Sequence, residues 1–112
     1  CVQAERQAAG AASLRGREGF SAFAGAKHAL RALAQSMARE LGPQGIHVAH
    51  VIVDGAIEGE FIKGVAPDYE ARLAHDEILR PAGIAANYVA LWKQPRSAWT
   101  HELDLRPWTE AW

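Results

Sequence analysis

The chain has 112 residues, 49% of them apolar and 22% charged, with a formal net charge of −1. That is room for one domain with a thin core, and the charge gives no general attraction to nucleic acid or to an anionic membrane surface. The single cysteine, Cys1, cannot close an internal disulfide, and no apolar run approaches the roughly 20 residues of a membrane span, so a single cytoplasmic domain over 1–112 is expected.

Residues 1–12, CVQAERQAAGAA, are alanine-rich and lack a β-branched run, which predicts a short helix or coil. From Ser21, a candidate N-cap, to Leu41 the apolar residues Phe23, Ala26, Leu30, Leu33, Met37 and Leu41 recur at three- and four-residue steps. That is the pattern of a helix with one buried face, and Gly42 and Pro43 end it. Small residues crowd its first half, where another backbone can approach closely.

Ile46–Val53 is rich in valine and isoleucine and bounded by Gly45 and Gly55. It predicts a strand apolar on both faces, as in a parallel sheet covered by helices. Residues 56–82 mix glycine, proline and charge, and predict a mobile segment with a helical turn around Tyr69–Leu79. In 83–94, Ile84, Tyr88, Leu91 and Trp92 fall on one face of a second core helix. In 99–108, Leu103 and Leu105 face one way, with His101 near the edge of that side, while Glu102 and Asp104 face the other. That alternation predicts a second, half-exposed strand.

Helix, strand, helix, strand is the order a parallel α/β sheet requires, because parallel neighbours are joined by a right-handed crossover. Two strands alone make a poor sheet. The expected fold is therefore α/β, a partial doubly wound, Rossmann-like parallel sheet, C-terminal half only. Strands 46–53 and 100–106 should be parallel neighbours or near-neighbours, with helices 21–41 and 84–93 packed on them.

Residues 10–57, GAASLRGREGFSAFAGAKHALRALAQSMARELGPQGIHVAHVIVDGAI, resemble the second half of a short-chain dehydrogenase/reductase, and THELDLRP resembles that family's last sheet strand. The Ala-Lys of the active-site helix, the REL…GI.V leading into the next strand and the glycine after it are in register. The resemblance implies an NAD(P)-dependent oxidoreductase. In such proteins a tyrosine four residues before the lysine is the general acid/base, the lysine lowers its pKa and holds the nicotinamide ribose, and a serine about thirteen residues before the tyrosine orients the carbonyl.

Carried over residue by residue, Lys27 matches as a catalytic and cofactor-binding residue, and Gly55 and Ile57 match as cofactor-binding. Phe23 stands at the tyrosine position and has no ionisable hydroxyl. Gly10 stands at the serine position, with Ser13 three residues on as the candidate replacement. Asp54 replaces a proline, and Gly59 a cofactor-bonding threonine. No G-x-G-x-x-G or G-x-x-x-G-x-G occurs, so the phosphate-cradling turn is not in this sequence. The expectation is NAD or NADP by resemblance, with neither bound nor turned over by this chain alone.

Two other readings stand beside that one. A non-catalytic, dimerising or scaffold relative fits the substitutions at 10, 23 and 59. A small enzyme pairing Ser13 with a histidine lacks an identifiable orienting carboxylate. No metal is expected, since His47 and His50 are three apart on a strand and turn to opposite faces, and His28, His75 and His101 are isolated. Trp92, Trp99, Trp108 and Trp112 suit a core seal or an oligomer interface. A homo-oligomer through helix 21–41, about 30 Å long at the usual rise, is the expected assembly, without nucleic acid or membrane partners.

Overall fold

The computed structural model describes residues 18–111. Helix α1 (Ser21–Leu41) runs into a single 3-10 turn, Gly42–Gln44, and strand β1 (His50–Val53) follows. Short helices α2 (Glu60–Val65) and α3 (Tyr69–Ala74) then lead to α4 (Pro81–Trp92) and to β2 (Glu102–Leu105). The expected short helix or coil over residues 1–12, and the site candidates Gly10 and Ser13, lie outside the described residues.

The two strands pair in parallel, His50 opposite Glu102 and Val53 opposite Leu105. This is the predicted arrangement, and its cause is the connection: α4 carries the chain back to the edge where β1 began, so β2 can only run the same way. Proline at the start of α4 has no N–H to lose there and is pre-set for the helical φ. At the other end of α4 the Gln94 side chain closes the return. Its Nε2 donates to Thr100 Oγ1 at 2.8 Å and its Oε1 accepts from the Thr100 N–H at 2.7 Å.

One sheet face is apolar. Val51 and Val53 pack with Ile84 and Leu91 of α4, and Ala49, Ile57, Leu79, Tyr88, Leu103 and Leu105 close around them. The other face sets buried Ile52 beside the polar residues His50, Glu102 and Asp104, and Arg31 of α1 reaches it. Arg31 donates from Nε and Nη2 to the two carboxylate oxygens of Glu102, each at 2.8 Å, and Glu102 Oε2 lies 3.2 Å from Nδ1 of buried His50. Helices therefore cover both faces of a parallel pair, the α/β pattern expected from sequence.

Several details differ from expectation. β1 begins at His50 rather than Ile46, because the segment 46–49 is held by side chains instead of a ladder. His47 Nε2 donates to Thr100 O at 2.8 Å, and His101 Nδ1 reaches back to Val48 O at 3.3 Å. β2 spans 102–105 rather than 100–106, and the second core helix starts three residues early, at Pro81. Ser21 is the first helical residue and Phe20 precedes it, with no side-chain cap.

Residues 56–82 are more ordered than a loop. They hold α2, α3 and a parallel bridge, Ile57 with Leu79, in which Leu79 donates to Ala56 O and accepts from the Glu58 N–H, both at 2.8 Å. Trp92, assigned above to the core face of α4, is 81% exposed. The buried positions of α1 are Ala24 and Ala34, while Leu33 at 55% and Met37 are exposed. Helix α1 reaches the sheet through Arg31, and of its apolar stripe Leu33 and Met37 look outward while Phe23, Leu30 and Leu41 are half-buried.

Candidate functional site

The carboxyl ends of β1 and β2 define one edge of the sheet, and ligands of open α/β sheets bind in the crevice beyond that edge. Helix α1 runs antiparallel to the strands. Its C-terminal half lies with 46–48 and 99–101 at the amino edge, and Arg31 meets Glu102 at the first residue of β2. Lys27 and Phe23, one and two turns earlier, are consequently carried toward the carboxyl edge. Gly55 and Ile57 arrive at the same edge by following directly on β1.

The pair on α1 has a definite geometry. The Lys27 Nζ sits over the Phe23 ring, 5.5 Å from its centroid. A cation over an aromatic face is attracted by the ring quadrupole, but a phenyl ring can neither give nor take a proton. The phenol of Tyr88 does not replace the missing hydroxyl. It packs against the cluster on the α4 face, where burial pushes its pKa up, away from a proton-transfer role near neutral pH.

Gly55 has φ +144°, and an added Cβ there would come within 2.8 Å of the Pro107 ring Cδ. Two forces select glycine at this point: the backbone conformation and the close approach of the chain leaving β2. In the bridge that follows, the ladder bonds run through Ala56 and Glu58. The N–H and C=O of Ile57 accordingly point away from Leu79. A backbone amide turned outward beyond a strand end suits the amide group of a nicotinamide ring, so the residues present fit that end of a dinucleotide. The glycine-rich turn that would hold the phosphates is not in this sequence.

Two polar groupings were not legible as sites from sequence. One is Arg31–Glu102–His50. Hydrogen bonding from Arg31 holds the Glu102 carboxyl below its ordinary range against an opposing burial penalty, with His50 adding to the same effect. Burial pushes the His50 imidazole down, opposed by its bond to Glu102. The other lies at the carboxyl edge, where Arg106 makes a two-pronged contact with Asp104 and its Nη2 is 3.6 Å from the Asp54 carboxylate.

The described histidines are all engaged. His28 donates to Ala24 O, His47 stacks on Trp99 with centroids 4.7 Å apart, His50 meets Glu102, and His75 lies 4.0 Å from Glu77. Among the described residues no group of three or more His, Cys, Asp or Glu is placed to hold a metal ion. A cleft of about 400 Å³ lined by Arg39, Ile46, His47, Trp99 and His101 opens at the amino edge, opposite Lys27 and Gly55, and is separate from this site.

Comparison with known proteins agrees with this fold. The family described as Enoyl-(Acyl carrier protein) reductase matches residues 8–101. The chain belongs to the short-chain dehydrogenase/reductase family. A solved short-chain dehydrogenase from Rhodopseudomonas palustris is similar at 47% identity and a TM-score of 0.62, covering 87% of this chain and 34% of that one. This short-chain dehydrogenase/reductase chain thus spans about a third of that structure's length. No curated protein matches it. No helix among the described residues is long and apolar enough to cross a membrane.

Proposed function

We propose that this chain is the nicotinamide-side portion of an NAD(P)-dependent oxidoreductase-type protein, and that by itself it neither binds the dinucleotide nor turns over substrate. Lys27 would hold the ribose, Gly55 would let the backbone pass close, and the outward amide of Ile57 would meet the carboxamide. A bound nicotinamide would supply hydride chemistry; this chain supplies binding and orientation. Ser13, outside the described residues, is the candidate for orienting a carbonyl. A cytoplasmic setting belongs to the same reading and is supported by a sequence with one cysteine.

The observation that carries the inactivity is the Phe23 ring beneath the Lys27 ammonium. A positioned acid/base group contributes about a hundred- to ten-thousandfold in rate, and here the position next to the lysine is hydrocarbon. The test is calorimetric titration of the chain with NAD, NADH, NADP and NADPH, followed by a nicotinamide absorbance assay over an alcohol and ketone panel. No binding tighter than roughly 100 μM, about −5.5 kcal/mol, and no turnover are expected. Phe23→Tyr should not restore turnover unless a polypeptide carrying a glycine-rich strand-turn-helix is supplied. Ser13→Ala should lower any activity of that reconstituted pair.

A second reading, a non-catalytic dimerising relative, is favoured by the outward Leu33 and Met37 on α1. Exposed apolar surface of this kind is what a two-fold contact between copies uses. A homodimer or larger species in light scattering at micromolar concentration is the expected result, and a clean monomer opposes it.

A further inference from the structure

The most unusual buried group lies at the carboxyl edge. Asp54 is 1% exposed, and neither of its side-chain oxygens accepts a hydrogen bond among the described residues. A carboxylate taken out of water is costly unless a charge or donors face it. The cation that faces it is Arg106, with Nη2 at 3.6 Å from Oδ2, and that guanidinium already grips Asp104 from Nε and Nη2. One guanidinium thus answers two carboxylates. The attraction on Asp54 acts through space, so it depends on where Arg106 is held.

Backbone contacts fix that position. The Asp54 N–H donates to Leu105 O at 2.8 Å, extending the parallel ladder one step past β1 and setting Asp54 beside Arg106. Immediately beyond, Gly55 presses against the Pro107 ring so closely that a Cβ would not fit. Two consecutive residue pairs, one ionic and one steric, therefore join the chain leaving β1 to the chain leaving β2. The next residues are the 56–58 segment that forms the bridge to Leu79 and turns the Ile57 amide outward.

We propose that Asp54 and Arg106 are positioning residues: together they form a clasp across the strand ends that sets the path of residues 55–58, and hence where the Ile57 amide is presented to a dinucleotide. The inference rests on the reading of Ile57 under Proposed function for its purpose, but not for its existence. Asp54 acts through the backbone that follows it and touches no ligand itself.

The experiment reads the turn directly, by amide hydrogen exchange in the full chain. The Glu58 and Leu79 amides, both bonded in the bridge, report the turn, and the His50 amide, bonded to His101 O at 2.7 Å, reports the start of the sheet. In Asp54→Asn the Glu58 and Leu79 amides should exchange at least tenfold faster, while His50 changes less than twofold. Arg106→Lys keeps the charge but loses the fork, and should give a smaller, few-fold increase confined to the same two amides; this variant decides the matter if Asp54→Asn does not fold. Unchanged exchange at Glu58 and Leu79, or an equal rise at all three amides, would overturn the clasp. A separate titration of the protein reconstituted with a glycine-rich strand-turn-helix half addresses the nucleotide. If the wild-type pair fails to bind, the functional reading fails while the exchange result still decides the clasp. If it binds, Asp54→Asn should weaken affinity about tenfold, and unaltered affinity would remove the clasp's role in presenting Ile57.

Discussion

The two faces of this small sheet are held by different forces. Toward α4, Val51, Val53, Ile84 and Leu91 bury hydrocarbon, with the Tyr88 phenol as a polar group at the margin, and the attraction scales with area removed from water. Toward α1, buried Ile52 lies beside a polar cluster in which Arg31 bonds Glu102 and Glu102 meets His50, and the buried positions of the helix itself are alanines, too small to bury much. Hydrocarbon packing is non-directional and indifferent to pH, whereas a hydrogen-bonded ion pair demands geometry and a charge state. The α4 face should therefore set the stability of the domain, and the α1 face its pH dependence and the placement of Lys27.

The contrast is broken most severely from the apolar side. Leu91→Ala removes a nearly buried side chain from the centre of the α4 packing, and should cost about 2–5 kcal/mol in urea unfolding. A loss under 1 kcal/mol would mean that the apolar face does not dominate. On the charged side, Arg31→Met leaves Glu102 without its forked partner. Because Arg31 and Glu102 are partly in water, with side chains 32% and 26% exposed, the expected loss is smaller, about 1–2 kcal/mol. Equal losses in the two experiments would erase the distinction.

Acid sharpens it further. His50 and Glu102 both have folded-state pKa values below their ordinary values of 6.5 and 4.5. In each case the unfolded chain binds the proton more readily. Each contribution is therefore fully present above the ordinary value and is lost as pH falls below it toward the folded value. Urea midpoints should decline from about pH 6.5 downward through His50, and again from about pH 4.5 through Glu102. His50→Gln should flatten the first decline and Glu102→Gln the second, whereas Leu91→Ala should lower the whole curve without changing its shape. The smallest effect on folding is expected at the outer surface of α1. Leu33→Glu should alter unfolding free energy by no more than about 0.5 kcal/mol, yet shift the mass in light scattering toward monomer if copies associate there.

Much of the α4 half was legible in the sequence. The valine and isoleucine run of β1, the Leu103–Leu105 alternation and the Ile84–Leu91 spacing each point to one buried surface, and parallel pairing follows from the intervening helix. The α1 half misled. Leu30, Leu33, Met37 and Leu41 make an apolar stripe, but periodicity says only that a stripe exists, not whether the domain's own sheet or another surface covers it. The start of β1 was misplaced for a similar reason: Ile46–Ala49 continues the valine and isoleucine run, yet His47 and His101 supply the cross-chain bonds there in place of a ladder. At the site, Lys27 and Gly55 could be found by register, and Asp54 stood out as a departure. Its partner could not, since nothing local to Arg106 says which strand end lies beside it.

Arg31 and Glu102 are 71 positions apart along the chain. Their contact closes a long loop, an entropic cost that the α4 packing, nearer in sequence to both strands, meets to a smaller extent. The tie between α1 and the sheet is therefore expected to form late in folding and to open early. An interaction absent from the transition state governs how fast the native state is left rather than how fast it is reached. On that argument Arg31→Met should speed the departure of the helix that carries Lys27 more than it slows its docking.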